Sequence, residues 1–232
     1  MNVFAFCGSL SDSSICEFAI HRYVDHLNAH SDVEINLFYT NGNSLTINYN
    51  QGNNQEFYHG HSTDATDDMK KLESQLIKSD IIIFASPTYM HNVSGFMKNF
   101  IDRIGYWTHL LKLRGKVGIS ISSCHSNGVN FTSEYLDKIL AQLGCSIESS
   151  VKLSTSIQNK TVIDSIIQYE AKKVMRKIRS KQFNITDFHE KKFETYKNMY
   201  HSQDTSESRY WQENNLFDFN NYYDLFMKSC DL

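Results

Sequence analysis

Asp80-Ile81-Ile82-Ile83-Phe84-Ala85-Ser86-Pro87-Thr88-Tyr89 is the stretch on which the reading of this chain turns. Its first half is an unbroken apolar run led by β-branched residues, the pattern of a strand buried on both faces. Pro87, the single proline in 232 residues, fixes φ and removes a backbone donor, so it ends the strand and sets the direction of the loop that follows. In an open α/β sheet, such a loop at the carboxyl end of a strand is where ligands bind.

Further apolar segments at 3–7, 33–38, 117–122 and 147–153 read as strands, and 81–85 completes a set of five. Amphipathic stretches at 14–29, 67–79, 93–111 and 132–143 read as helices; in the third, Phe96, Phe100, Ile101 and Ile104 recur at helical spacing. The alternation predicts an α/β fold with a doubly wound five-stranded parallel sheet, strand order 2-1-3-4-5. Two segments depart from it. Residues 40–66 are rich in Asn, Gly and Gln and read as an irregular insertion. Beyond a helix at 161–181, residues 181–232 are polar and aromatic, and they predict an extension packed on the core, on a dimer mate or on a partner. The main domain is accordingly read as 1–180.

Composition narrows the function classes. With 41% hydrophobic and 21% charged residues the chain reads as globular. Its 23 basic and 26 acidic residues, net −3, give no concentrated basic surface for nucleic acid or an anionic membrane. The five cysteines, Cys7, Cys16, Cys124, Cys145 and Cys230, contain no Cys-x-x-Cys pair, which argues against a disulfide scaffold and against structural zinc. The first residues lack a signal-peptide pattern, and no apolar run approaches the roughly 20 residues of a membrane span. A reduced, cytoplasmic protein is the expectation.

Three loops at the strand ends carry the chemistry. Gly8-Ser9-Leu10-Ser11-Asp12-Ser13-Ser14-Ile15 opens the first helix, and Ser9, Ser11, Ser13, Ser14 and Ile15 could form a nest for a phosphate monoester. The alternative, that the serines merely cap the helix, stays open. No P-loop lysine and no Gly-x-Gly-x-x-Gly are present. The second loop offers Pro87, Thr88, Tyr89, Met90, His91 and Asn92, an aromatic face with short polar groups suited to a planar ring with carbonyl edges. The third offers Ser123, His125, Asn127 and Gly128. In the expected strand order these loops share one crevice, and a phosphate nest facing a ring clamp describes an FMN site.

His91 and His125 are candidate catalytic proton donors, because histidine titrates near neutral pH. His59 and His61 beside Asp64 resemble a metal site, but solvated polar residues on a loop are the expected reading, and no metal is assigned. Cys124 reads as a small buried residue rather than a redox thiol.

The sequence resembles the flavodoxin-like NAD(P)H-dependent FMN reductases, close to the branch that includes the iron–sulfur flavoproteins. The resemblance rests on Gly8-Ser9, on 79–89, on Val93-Ser94-Gly95-Phe96-Met97-Lys98-Asn99-Phe100-Ile101-Asp102-Arg103, on Gly115-Lys116-Val117-Gly118 and on Leu143-Gly144, and it covers roughly residues 1–155. In that branch a cysteine cluster precedes an Asp-Asp-Met helix start. Here Asp67-Asp68-Met69 remains, but no cysteine lies between Cys16 and Cys124, and Asn50-Gln51-Gly52-Asn53 stands near the expected cluster position. Because such clusters need thiolates, FMN without an iron–sulfur cluster is expected, with 40–66 free to act as a substrate lid.

The resemblance implies an oxidoreductase in which NAD(P)H reduces FMN and electrons then pass to a quinone, azo compound, free flavin or activated alkene, including dehydroamino acids in a modified peptide. It implies backbone N–H groups from Thr88 to Asn92 on the ring edge, Tyr89 flanking the ring, and His125 with Asn127 closing the far side. A homodimer or homotetramer is implied as well, in which Tyr210, Trp211 and Phe217 could cover a neighbour's flavin. A non-enzymatic electron carrier and a flavodoxin-fold interaction protein are the competing readings.

Overall fold

The computed structural model describes residues 1–11, 13–50, 52 and 55–232. Five strands form one parallel sheet: β1 (Asn2–Cys7), β2 (Asn36–Asn41), β3 (Ile81–Pro87), β4 (Val117–Cys124) and β5 (Ser146–Ser154), in the order β2-β1-β3-β4-β5. The connecting helices are α1 (Ile15–Ala29), α2 (Gln55–His59), α3 (Met69–Lys78), α4 (Gly95–Arg103), α5 (Val129–Leu143) and α6 (Lys160–Ser180), followed by α7 (Asp187–His201), α8 (Ser206–Glu213) and α9 (Tyr222–Ser229).

The period of two along the central strands explains why their sequence is continuously apolar. Ile81, Ile83 and Ala85 join a cluster with Val3, Ala5 and Cys7 that packs under α1 and α6. Ile82 and Phe84 point the other way, with Phe4 and Phe6, into a cluster shared with α3, α4 and α5. The Phe6 and Phe100 rings stack at 4.0 Å.

Three boundaries differ from the sequence reading. Strand β2 starts at Asn36 rather than 33, because Ser31 closes a turn: its Oγ donates to Val33 O at 2.7 Å and accepts from Val33 N at 3.2 Å. The helix expected over 93–111 stops at Arg103 and continues as a 3-10 turn over Gly105–Leu110, ending at Leu111 in the left-handed region at φ 47°. Helix α5 begins at Val129 rather than 132, since Gly128 at φ 86° turns the chain directly into it.

The 40–66 segment is held rather than free, which corrects the lid expectation for its described residues. Asn99 donates to Ile47 O at 2.9 Å, and the buried Arg103 donates to Asn48 O and Ser62 Oγ, each at 2.8 Å. Arg103 also pairs with Asp67 and, at 3.3 Å, with Glu56. The buried carboxylate of Glu73 accepts from Ser62 N at 2.9 and 3.0 Å. Gln51 and Asn53, within the expected cluster position, lie outside the described residues.

Helices α7 to α9 pack against their own chain. Phe193, Trp211, Tyr222 and Phe226 are buried in the cluster under α6. Trp211 Nε1 donates to His109 O at 2.9 Å, and Tyr222 Oη donates to Gly144 O at 2.5 Å. Trp211, fully buried in this way, has no surface to offer a neighbour's flavin. Tyr210 is engaged too, accepting from Arg114 at 2.9 Å.

Candidate functional site

The loops after β1, β3 and β4 meet because their strands are adjacent and in register, with Cys7 opposite Ala85 and Pro87 opposite Ser123. Gly8 N donates to Ala85 O at 2.7 Å, and Thr88 N donates to Ser123 O at 2.7 Å. Ser94 joins the first two loops: it caps α4 by accepting from Met97 N at 3.1 Å and donates to Gly8 O at 2.5 Å. A Cβ on Gly8 would come within 2.7 Å of Met97 Cβ, so only glycine allows this approach. Ser94 was missed in the sequence reading, although a serine directly before an amphipathic run is an N-cap signal.

The first loop folds on its own hydroxyls. Ser9 Oγ accepts from Ser11 N at 3.2 Å, Ser11 Oγ accepts from Ser13 N at 3.3 Å, and Ser14 caps α1 by accepting from Cys16 N at 3.2 Å. Ser14 does cap the helix, and the cap leaves Ile15 N–H, like Leu10 N–H, without a partner among the described residues. The Ile15 N–H lies at the positive end of the 15-residue helix α1. Beneath them, burial pushes the Cys16 thiol up to about 12 and raises that of Cys7, so both are neutral thiols rather than nucleophiles. Cys16 Sγ lies 3.1 Å from Ser123 Oγ.

The second loop is a tight turn. Tyr89 and Asn92 exchange backbone hydrogen bonds at 2.9 and 3.0 Å, and the two residues between them, Met90 and His91, lie in the left-handed region at φ 49° and 62°. Each such residue costs roughly 1–2 kcal/mol. This geometry corrects the expectation that all N–H groups from Thr88 to Asn92 serve the ring: those of Thr88, Tyr89 and Asn92 are consumed internally. Those of Met90 and His91, at the tip of the turn, have no partner among the described residues. Thr88 Oγ1 is buried without a partner.

The third loop closes against the turn through His91. Its Nε2 lies 3.3 Å from Asn127 Oδ1, and its ring stacks on Phe131 with centroids 5.4 Å apart. The sequence reading paired Asn127 with His125 instead. His125 turns toward β5, its Nδ1 3.2 Å from Thr155 Oγ1. Gly128 fits under His91, since a Cβ there would lie 2.6 Å from His91 Cδ2. Around this mouth five large apolar side chains are exposed: Leu10, Tyr89, Met90, Phe131 and Ile157, with Met90 98% accessible.

These residues fit FMN. Open N–H groups and hydroxyls at the start of α1 suit a phosphate with no lysine in the loop. The open N–H groups of Met90 and His91, with the unpartnered Thr88 hydroxyl, suit the carbonyl and nitrogen edge of a planar ring. The structure does not gather the His59, His61 and Asp64 group in the same way. The two imidazoles are 5.8 Å apart, and Asp64 is engaged by Asn48 and Thr66 at 2.9 and 2.8 Å.

A sequence profile described as NADPH-dependent FMN reductase matches residues 1–160. Over 55 residues, 24% of this chain, the sequence is 47% identical to an iron–sulfur flavoprotein of Archaeoglobus fulgidus, and the matched stretch spans a quarter of that protein's length, 25%. RosB with bound 8-demethyl-8-formylriboflavin-5'-phosphate superimposes with TM-score 0.61 at 12% identity, covering 88% of both chains. A flavone reductase gives TM-score 0.62 at 11% identity over 81% of this chain and 66% of its own. An apo NADH:FMN oxidoreductase gives 0.54 at 18% identity, over 75% and 88%. At these identities the solved structures establish a shared fold.

Proposed function

This chain belongs to the NADPH-dependent FMN reductase family, and from that premise we propose that it is an FMN-dependent NAD(P)H oxidoreductase whose acceptor is a small planar apolar molecule of the quinone type. The reading is supported by open N–H groups in two loops at the ends of adjacent strands, those of Leu10 and Ile15 after β1 and those of Met90 and His91 after β3. The chemistry that FMN supplies when bound is transfer of a hydride equivalent from the nicotinamide and of two electrons to the acceptor.

The residues have separable tasks. Leu10 and Ile15 N–H, with the hydroxyls of Ser9, Ser11, Ser13 and Ser14, hold the phosphate at the start of α1. Met90 and His91 N–H donate to the ring edge, where fixed dipoles stabilise negative charge without reorganising. Thr88 Oγ1 gains its missing partner there. His91, held by Asn127 and Phe131, keeps the turn in place; with His125 it is also a candidate proton donor. Leu10, Tyr89, Met90, Phe131 and Ile157 exclude water and favour an apolar acceptor. Lacking any cysteine between Cys16 and Cys124, the chain works without an iron–sulfur cluster, and iron analysis of the purified protein checks this.

Anaerobic titration of the FMN-loaded protein with NADPH and NADH tests the reading. Bleaching of the visible flavin absorbance, followed by its recovery on adding a quinone, is expected. If FMN binds and neither nicotinamide bleaches it, the protein is no reductase.

A further inference from the structure

The two segments that surround the sheet, the 40–66 insertion and the C-terminal helices, meet each other. Ser206 Oγ at the start of α8 donates to Phe57 O of α2 at 3.0 Å. Between α2, α8, α3 and the 3-10 turn at Gly105–Leu110 lies a cleft of about 640 Å³, a volume in the usual range of small-molecule sites. It extends to Ile77 and Lys78, which precede β3, and to Leu110 and Lys112, which precede β4. It therefore reaches toward the amino ends of the strands, whereas the candidate flavin loops lie at their carboxyl ends.

The lining combines two chemistries. Phe57, Tyr58 and Tyr210 supply aromatic surface, and Tyr58 is 70% exposed. Lys70, Lys78, Lys112 and Arg209 supply four cations. Lys70 and Lys78 have no ion pair among the described residues. Lys112 Nζ lies 4.5 Å from the centre of the Tyr210 ring, and Arg209 pairs with the exposed Asp204 at 3.5 Å. Two carboxylates oppose them. That of Glu73 accepts from Ser62 N and from the Tyr106 hydroxyl, and that of Glu213 has no ion pair among the described residues. In a chain of net charge −3, the four cations of this lining outnumber its two carboxylates, Glu73 and Glu213, so the cleft carries a local excess of positive charge.

We propose that the cleft binds a nucleoside phosphate. The base stacks on the aromatic surface, the phosphates engage Lys70, Lys78, Lys112 and Arg209, and Glu213 accepts hydrogen bonds from the ribose hydroxyls or an exocyclic amine. This site is independent of the flavin site and of the reductase reading.

Calorimetric titration of the FMN-loaded protein with ADP and with inorganic pyrophosphate tests the proposal. ADP is expected to bind at one site and more tightly than pyrophosphate. The surface reversal Lys70→Glu with Lys112→Glu should weaken ADP at least tenfold without changing the KM for NADPH, and Tyr58→Ala should weaken ADP while leaving pyrophosphate unchanged. Circular dichroism confirms that the variants are folded; should the double variant be unfolded, Lys70→Glu alone replaces it with the same expectation. The proposal falls if ADP does not bind at millimolar concentration or binds no better than pyrophosphate. It falls equally if ADP competes with NADPH and is indifferent to the reversals, because ADP then sits at the flavin loops. Failure of NADPH to bleach the flavin would sink the reductase reading and leave this titration untouched.

Discussion

His91 and Asn127 meet across the mouth of the sheet, Nε2 to Oδ1 at 3.3 Å, and so tie the loop after β3 to the loop after β4. The contact holds a residue in the left-handed region at φ 62°, and the neighbouring Met90 shares the turn. Strain of this kind persists only where surrounding contacts over-determine it. Here they are Asn127, the Phe131 ring and the paired backbones of Tyr89 and Asn92.

Removing the clamp should therefore loosen the flavin rather than the fold. His91→Ala keeps the strained backbone and loses the ring and its two contacts. A roughly tenfold weaker FMN affinity, about 1.4 kcal/mol, is expected by fluorescence titration, with little change in Tm. Asn127→Ala should do the same to a smaller degree, and the double variant should cost less than the sum, as coupled neighbours do. Full additivity would mean that the two residues act separately.

Two glycines of the site loops make opposite predictions. At Gly128, φ is +86° and a Cβ would collide with His91 and lie 3.1 Å from Thr88 Cγ2. Gly128→Ala should destabilise the protein by about 1–3 kcal/mol and abolish FMN binding. At Gly95, the first residue of α4, a Cβ meets nothing within 4 Å. Gly95→Ala should leave FMN affinity unchanged and raise stability by about 0.4–1 kcal/mol, by restricting the unfolded chain. Equal urea midpoints for the two variants would contradict both arguments.

The central strands were legible because their burial on both faces leaves a continuous apolar run, and because the alternation of strands with helices restricts the connections. The break in the helix after β3 was not. Tyr106, Trp107 and Leu110 keep an apolar spacing through the 3-10 turn, so periodicity runs on where the backbone changes. The site was legible as three loops but not as contacts. Met90 and His91 are not the Gly or Asn that usually announce a left-handed turn, and the partner of His91 lies 36 residues away. Nor does local pattern reveal that Arg103 reaches back 55 residues to a carbonyl of the insertion.

That reach makes Arg103 the test of how the insertion is held. It is 2% exposed and surrounded by Asp67, Glu56, Ser62 and Asn48 O. Arg103→Leu leaves buried carboxylates without their cation, a loss of about 3–5 kcal/mol for a broken buried pair. Urea unfolding should register most of this, and limited proteolysis should cut within 45–66 in the variant and not in the parent. Arg103→Lys restores one charge without the planar fork and should recover only part of the loss. A variant with the parent's midpoint and the parent's cleavage pattern would mean that the insertion is anchored elsewhere.

Lys192 predicts a pH dependence of stability. It lies on α7, 8% exposed, donates to Gln142 O and packs 5.3 Å from the Tyr196 ring. Burial lowers its pKa from 10.5 to about 7. His109 and His189, also lowered by burial and by Lys192 itself, titrate below this range. Between pH 7 and 10.5 the unfolded chain holds a proton on Lys192 that the folded chain releases, so this residue makes stability rise with pH across that window. Below 7 both states are protonated and the penalty is complete. Lys192→Met removes the penalty, and its stability gain over the parent should be greatest near pH 7 and shrink by up to about 1.4 kcal/mol for each unit toward pH 9. Comparing the two proteins at each pH cancels the cysteines and tyrosines that titrate above 9. A gain that stays constant from pH 7 to 9 would place the Lys192 amine in the charged form throughout, its burial offset by the Gln142 carbonyl.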